Sequence, residues 1–280
     1  EAIRGHECDV LVFKSAFYFD SEGTYGAVPV RQNSLVVPNH TGEVTKFSRD
    51  EAIKGVFSNF GLGDQVNKRF NVSYLANAVY HRSVLTKISQ QRPKVFDLTP
   101  ADGYLAAAVA FAADSYYCWD KPLHVWTDWA ENATATAEKK GDGLRNHYES
   151  LLQGNALMNV PLKFALPLNC TYNSLLTAKD DFTNEYPFDI NWADYYFNVH
   201  QDLMFLKRVG VKIDLEVKEW HASLSGESPR VRDEVQQRTG DLLYRLKNVV
   251  VERFPRLATS LRRRRSSGDY EYYLGNSKGF

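Results

Sequence analysis

A chain of 280 residues has room for one large domain or two modest ones, and its 34 basic residues balance 34 acidic ones. A formal net charge of zero excludes a global field that would draw it to nucleic acid or to an anionic membrane, so no nucleic-acid partner is expected. The composition, 44% hydrophobic and 13% aromatic, suits a sizeable core, and no apolar run approaches the roughly 18 residues of a membrane helix. Cys8, Cys118 and Cys170 lie too far apart for a metal motif or a disulfide framework. That spacing implies a reducing, cytoplasmic setting. The opening Glu1-Ala-Ile-Arg-Gly-His6 is no signal peptide and reads as a helix end running into a strand. Both termini look like the interior of a longer chain.

Cys8 to Phe19 is rich in β-branched and aromatic residues and predicts a mostly buried strand, followed by a turn at Asp20–Gly23. A second short strand is expected over Asn33–Val37, closed by Pro38. Ser48-Arg-Asp-Glu51 is a capping box that opens a helix through about Asn59, with Gly61 and Gly63 after its end. Phe70 to Tyr80 is apolar and aromatic, and His81 to Ile88 has a helical pattern. Tyr116–Trp119 and Leu123–Trp126 read as two short strands around a turn at Asp120-Lys-Pro122. Alternating strands and helices favour an α/β domain over residues 1–143. From about Leu144 helical patterns dominate, at Asn146–Gln153, Asn173–Asp181 and Trp192–Val209, the last with Gly210 as its expected C-terminal cap. Val211–Val217 alternates like a strand, and Val231–Phe254 returns to an amphipathic helix. Residues 144–280 are therefore expected to form a mainly helical extension with a basic end.

The most informative segment is Phe96-Asp97-Leu98-Thr99-Pro100-Ala101-Asp102-Gly103-Tyr104. Thr99 is suited to the N-cap and Pro100 to the first position of a helix that continues through the small residues after Leu105 to about Tyr116. Asp102 then lies in the first turn. An acid there stabilises the helix N-terminus by about 0.3–1 kcal/mol. A carboxylate at the mouth of a cleft can also take a proton from an attacking hydroxyl. Both readings are open for Asp102, and Asp97 is its nearest competitor as a base.

Four segments together resemble the bacterial family 2 glycosyltransferases of the GT-A fold. They are the strand Asp9–Phe19; Ala78-Val-Tyr80-His-Arg82-Ser-Val-Leu-Thr-Lys-Ile88; Thr99-Pro-Ala-Asp102-Gly-Tyr104; and Lys121-Pro-Leu-His-Val-Trp126-Thr-Asp128. The resemblance covers roughly residues 8–135 and rests on the order and spacing of the segments. It implies a partial GT-A-like mixed sheet with flanking helices, forming the acceptor-side half of an inverting sugar transferase. On that reading Asp102 is the general base, and Tyr80, Arg82, Asp97, Tyr104, Trp126 and Asp128 line the substrate site. The donor would be a nucleotide-sugar and the acceptor a glycan or lipid-linked hydroxyl, in bacterial surface-polysaccharide assembly. The family's N-terminal strand and its Asp-x-Asp motif, which holds a divalent Mg or Mn ion, have no counterpart here. The resemblance therefore implies metal ligands mostly outside this chain and an inactive isolated fragment.

Trp126, Trp129 and Asp128 suit sugar stacking and hydroxyl binding, and equally suit ordinary packing. Glu131 and Asn132 beside them suit a loop over the acceptor. His124 and His221 are candidate metal ligands without a zinc-type spacing. Arg262–Arg265, with Arg253 and Arg256, suits peripheral contact with an anionic inner-membrane surface as well as a solvated charge run. The alternative to an enzyme is a non-catalytic α/β interaction or glycan-binding module in which Asp102 is only a helix cap.

Overall fold

The computed structural model describes residues 8–19, 23–25, 28–59, 62, 77–94, 100–128, 146, 149–150, 152, 157–182, 189–208, 210–240 and 270–274. In chain order the strands are β1 (Val10–Phe19), β2 (Gly23–Tyr25), β3 (Val28–Val30), β4 (Ser34–Pro38), β5 (Val44–Phe47), β6 (Ala78–Tyr80), β7 (Tyr116–Asp128) and β8 (Tyr270–Leu274). The helices are α1 (Arg49–Asn59), α2 (Arg82–Gln91), α3 (Ala101–Ala112), α4 (Pro167–Phe182), α5 (Trp192–Arg208), α6 (Asp214–Ser225) and α7 (Pro229–Gly240). The α/β class expected from the sequence is what the described residues form.

Strand β1 organises a mixed six-stranded sheet ordered β5-β7-β1-β4-β8. It pairs parallel with β7 along its whole length. Its other edge is shared by β6, antiparallel over Val10–Val12, and β4, antiparallel over Phe17–Phe19. Asp9 locks the start of this arrangement. Its carboxylate accepts the Asp114 and Ser115 amides at 2.8 and 3.1 Å, and its carbonyl accepts the His81 amide at 2.7 Å. One residue thereby ties the ends of α2 and α3 to the head of β1.

Strand β7 corrects the expectation of two strands around a turn. Tyr116–Trp119 pair with Val10–Phe13, but Pro122 then faces Lys14 and His124 faces Ser15, so Asp120, Lys121 and Leu123 are extra residues in an irregular bulge. Pro122 cannot donate to a ladder, and a bulge is where a strand tolerates it. The bulge is pinned by Asp120, which pairs with Lys14 and accepts the Thr41 amide at 2.8 Å and the Thr41 hydroxyl at 3.0 Å. With those anchors the chain continues in one direction past Pro122 instead of reversing.

The capping box opens α1 as predicted. The Ser48 amide donates to Glu51 at 2.9 Å, and the Glu51 amide donates back to the Ser48 hydroxyl. Gly210 ends α5 with a φ of +89°, a left-handed conformation that suits glycine. Helix α3 starts one residue later than expected and stops earlier. Pro100 is its cap in extended conformation, without a side-chain hydrogen bond, and Tyr116 already belongs to β7. Residues 214–217, expected to be extended, begin α6, where Asp214 and Glu216 place acid at a helix N-terminus. Helix α7 is described as far as Gly240. The predicted helical stretch beyond it and the Arg262–Arg265 run lie outside the described residues. The single large core includes Val10, Phe57, Ile88, Phe111, Leu175, Leu203 and Val235, so it joins residues on both sides of position 143.

Asp202 of α5 turns its carboxylate to the N-terminus of α4 and accepts the Leu168 amide at 3.2 Å. Burial pushes this carboxyl up to about 6, against the lowering effect of that hydrogen bond. The unfolded chain releases the proton near pH 3.9, so between about pH 4 and 6 the folded state holds a proton that the unfolded state has lost. Stability is therefore spent across that window and stays reduced above it. Asp202→Asn keeps the acceptor for Leu168 and removes the charge. Urea denaturation is expected to find the variant more stable than wild type at pH 8 by about 2 kcal/mol, and equal to it near pH 4.

Candidate functional site

The candidate centre is the first turn of α3. Asp102 is half-buried, and among the described residues its carboxylate has one hydrogen-bond partner, the amide of Gly103 at 2.9 Å. That contact covers one of the free N–H groups every helix start leaves open. It also leaves the second oxygen without a described partner. Gly103 lies against α4: a Cβ there would meet Thr171 at 3.5 Å and Ser174 at 3.6 Å. These are ordinary van der Waals distances, so the two helices lie in close contact at the turn that carries Asp102. The Ser174 hydroxyl is fully buried and has no hydrogen-bond partner among the described residues.

Tyr104, expected from the resemblance to line the substrate site, is turned inward. It is completely buried, and its hydroxyl donates to Asp181 Oδ2 at 2.9 Å. Arg92, the C-terminal cap of α2, grips the same carboxylate with two hydrogen bonds, Nε to Oδ2 at 2.7 Å and Nη2 to Oδ1 at 2.9 Å. Its guanidinium lies 5.5 Å from the centre of the Tyr104 ring. Burial first, and the Asp181 hydrogen bond second, raise the Tyr104 phenol well above its ordinary range. Tyr104 is thus a structural pin that ties the start of α3 to α2 and α4.

The other end of α3 is held by side chains meeting its last carbonyls. Lys87 donates to Ala112 at 3.2 Å and Arg49 to Ala113 at 2.8 Å, while the Tyr116 hydroxyl donates to Val109. Both cations also pair with Asp114. Cations at a helix C-terminus oppose its partial negative charge. The helix is therefore fixed at both ends, and Asp102 with it.

The remaining predicted residues do not gather into one cleft. Tyr80 faces Val10 at the head of β1, packed against the core, with burial pushing its phenol up to about 12. Arg82 opens α2 with an exposed side chain that makes no ion pair among the described residues. Trp126 faces Phe17 and Asp128 faces Phe19, at the far end of β1. Seven strand steps separate Val10 from Phe17, roughly 20 Å. The expected juxtaposition of Tyr80 with Trp126 is therefore absent, because both are tied to opposite ends of one extended strand. Trp126 is 36% exposed and meets His124 edge to face at 5.3 Å; Leu123 and Val125 beside it are 49% and 51% exposed. His124 Nδ1 lies 3.3 Å from the Ser15 hydroxyl. His221 is exposed on α6 and packs on Trp220 at 4.9 Å. Asp97, Trp129, Glu131 and Asn132 lie outside the described residues.

Among the described residues no three His, Cys, Asp or Glu side chains come together, so this part of the chain offers no ligand set for the divalent metal that the resemblance implies. No described helix is long and apolar enough to cross a membrane. The Arg92–Asp181 pair escaped the sequence reading, since nothing local links residues 89 positions apart.

Removing Asp181 leaves a guanidinium and a buried hydroxyl without their shared acceptor. Asp181→Ala is expected to destabilise the fold by about 2–4 kcal/mol, and Tyr104→Phe by about 1 kcal/mol, read from urea unfolding midpoints. Equal losses for the two variants would show that Arg92 gains nothing from the pair. Comparisons with known proteins return nothing similar: no family model, no curated protein and no solved structure matches this chain.

Proposed function

We propose that this chain is the acceptor-side part of an inverting glycosyltransferase, with Asp102 as the general base. The observation that carries the reading is the state of the Asp102 carboxylate. It is fixed on a helix pinned at both ends, is half-buried, and forms no ion pair among the described residues. A base needs such a position: held in place, open on one side, and not neutralised by a neighbouring cation. Its role is to take the proton from the acceptor hydroxyl as that oxygen attacks the anomeric carbon and the nucleoside diphosphate departs. The nucleotide-sugar and its divalent metal would be held by residues beyond those described, so no step is assigned to them here. Of the residues first expected to line the substrate site, Asp97, Arg82 and Asp128 remain candidates for acceptor contact. The setting that fits this chemistry is polysaccharide assembly on the cytoplasmic face of a bacterial membrane.

A second reading, a non-catalytic glycan-binding or interaction module, is favoured by a different observation. The exposed run Leu123–Trp126 gathers apolar and aromatic surface far along β1 from Tyr80. In that case Asp102 serves only the helix terminus.

Asp102→Asn separates the two. Asn keeps the size and an acceptor for the Gly103 amide, so thermal unfolding is expected to change by less than about 1 kcal/mol. Release of nucleoside diphosphate from a panel of nucleotide-sugars, measured with the full-length gene product and a glycan acceptor, is expected to fall by about 10²–10⁴-fold. Turnover near the wild-type level would remove Asp102 from the chemistry. Glycan binding that survives Asp102→Asn and is lost in Trp126→Ala would favour the second reading.

A further inference from the structure

The loop Leu157-Met-Asn-Val-Pro-Leu-Lys163 closes on itself around a cation. The Lys163 ammonium donates to three backbone carbonyls of its own loop, Leu157 at 2.6 Å, Met158 at 3.3 Å and Val160 at 2.6 Å. An ammonium has three N–H donors, so all three are used. No carboxylate lies within ion-pair distance of it among the described residues. The acid beside the loop, Glu219 of α6, instead accepts the backbone amide of Lys163 at 2.7 Å. Lys163 is an exposed residue, and among the described residues its positive charge is met by carbonyl dipoles and no carboxylate.

Rings of carbonyl oxygens without a carboxylate are how proteins replace the hydration shell of a monovalent cation. Three side chains of the loop anchor it from the core side, while Met158 is exposed. Leu157, Val160 and Leu162 are buried in the core. The rest of the loop is held from outside. The Asn159 amide donates to Asn173, and its side chain donates to Thr177. Asn169 donates to the carbonyls of Leu162 and Phe164, and the Leu162 amide donates to the Tyr195 hydroxyl. The cradle is therefore shaped by α4 and α5 as well as by the lysine that fills it.

We propose that residues 157–163 form a monovalent-cation site whose resident is the chain's own Lys163 ammonium, and that shortening this side chain opens the site to K⁺ or NH₄⁺. The site is independent of the role assigned to Asp102. The cation holds the loop that α4, α5 and α6 share, so its loss loosens the helical part of the core.

Lys163→Ala tests this by thermal unfolding at matched ionic strength in potassium, ammonium and choline chloride, choline being too large for the cradle. The variant is expected to lose about 4 °C in choline and to recover at least half of that in potassium or ammonium. Wild type is expected to melt at the same temperature in all three. A variant melting temperature unaffected by the choice of cation overturns the proposal, and so does an equal potassium effect on wild type. Side-chain ¹⁵N NMR of the wild-type protein decides the matter if the variant does not fold in any salt. One lysine NH₃⁺ signal protected from solvent exchange supports a held ammonium, and uniformly fast exchange of every lysine refutes it.

Discussion

Helix α3 can be buried along nearly its whole length because its side chains are small. From Gly103 to Ala112 every residue is buried, most of them Ala or Val, with Phe111 set between Phe57 and Phe182. A helix so apolar on every face can only exist inside a core. Helices α1, α2 and α4 all pack around it. Its polar ends then become the constraint. A buried helix leaves carbonyls and amides that must find partners, and Lys87, Arg49, Tyr116 and Asp102 supply them.

That arrangement gives Asp102 a service to the helix that does not compete with the role proposed for it. One oxygen meets a helix amide, which fixes the carboxylate. The same fixation is what the proposed proton acceptor requires. Tyr104 and Asp181 support it from below by tying the first turns of α3 to the end of α2 and the last turn of α4. The rigidity of the turn comes from residues remote in sequence, the position of the acid from local helix chemistry.

The helical portion is joined to the sheet portion by the same core and carries polar groups inside it. Asn169, Asn173, Thr177 and Tyr195 are buried on α4 and α5, and they hold the 157–163 loop through its backbone and the Asn159 side chain. Asp202 adds an acid at the head of α4 whose charge costs stability at neutral pH. Such buried polar groups are tolerated where each finds a partner, as most of these do. The fold of residues 157–240 is thus organised by directed hydrogen bonds as much as by apolar contact.

Local signals in the sequence were sufficient for β1, β4, α1, α2 and α5: the β-branched run after Cys8, the Ser48–Glu51 box, the 3.6-residue pattern after Trp192 and the glycine at 210. They also placed Asp102 in the first turn of a small-residue helix, because capping chemistry acts over three or four residues. Tertiary structure alone decided the rest. Pro122 reads as a turn by itself, yet β1 and the Lys14–Asp120–Thr41 contacts keep the strand running through a bulge. Tyr104 reads as a pocket residue beside an acid, yet packing turns it inward to a carboxylate 77 residues away. Tyr80 and Trp126 read as lining one site because the resemblance assigns both motifs to it, yet strand pairing sets them at opposite ends of β1. Periodicity and caps are written in neighbouring residues, whereas register, burial and the choice of hydrogen-bond partner depend on segments that meet only when the chain folds.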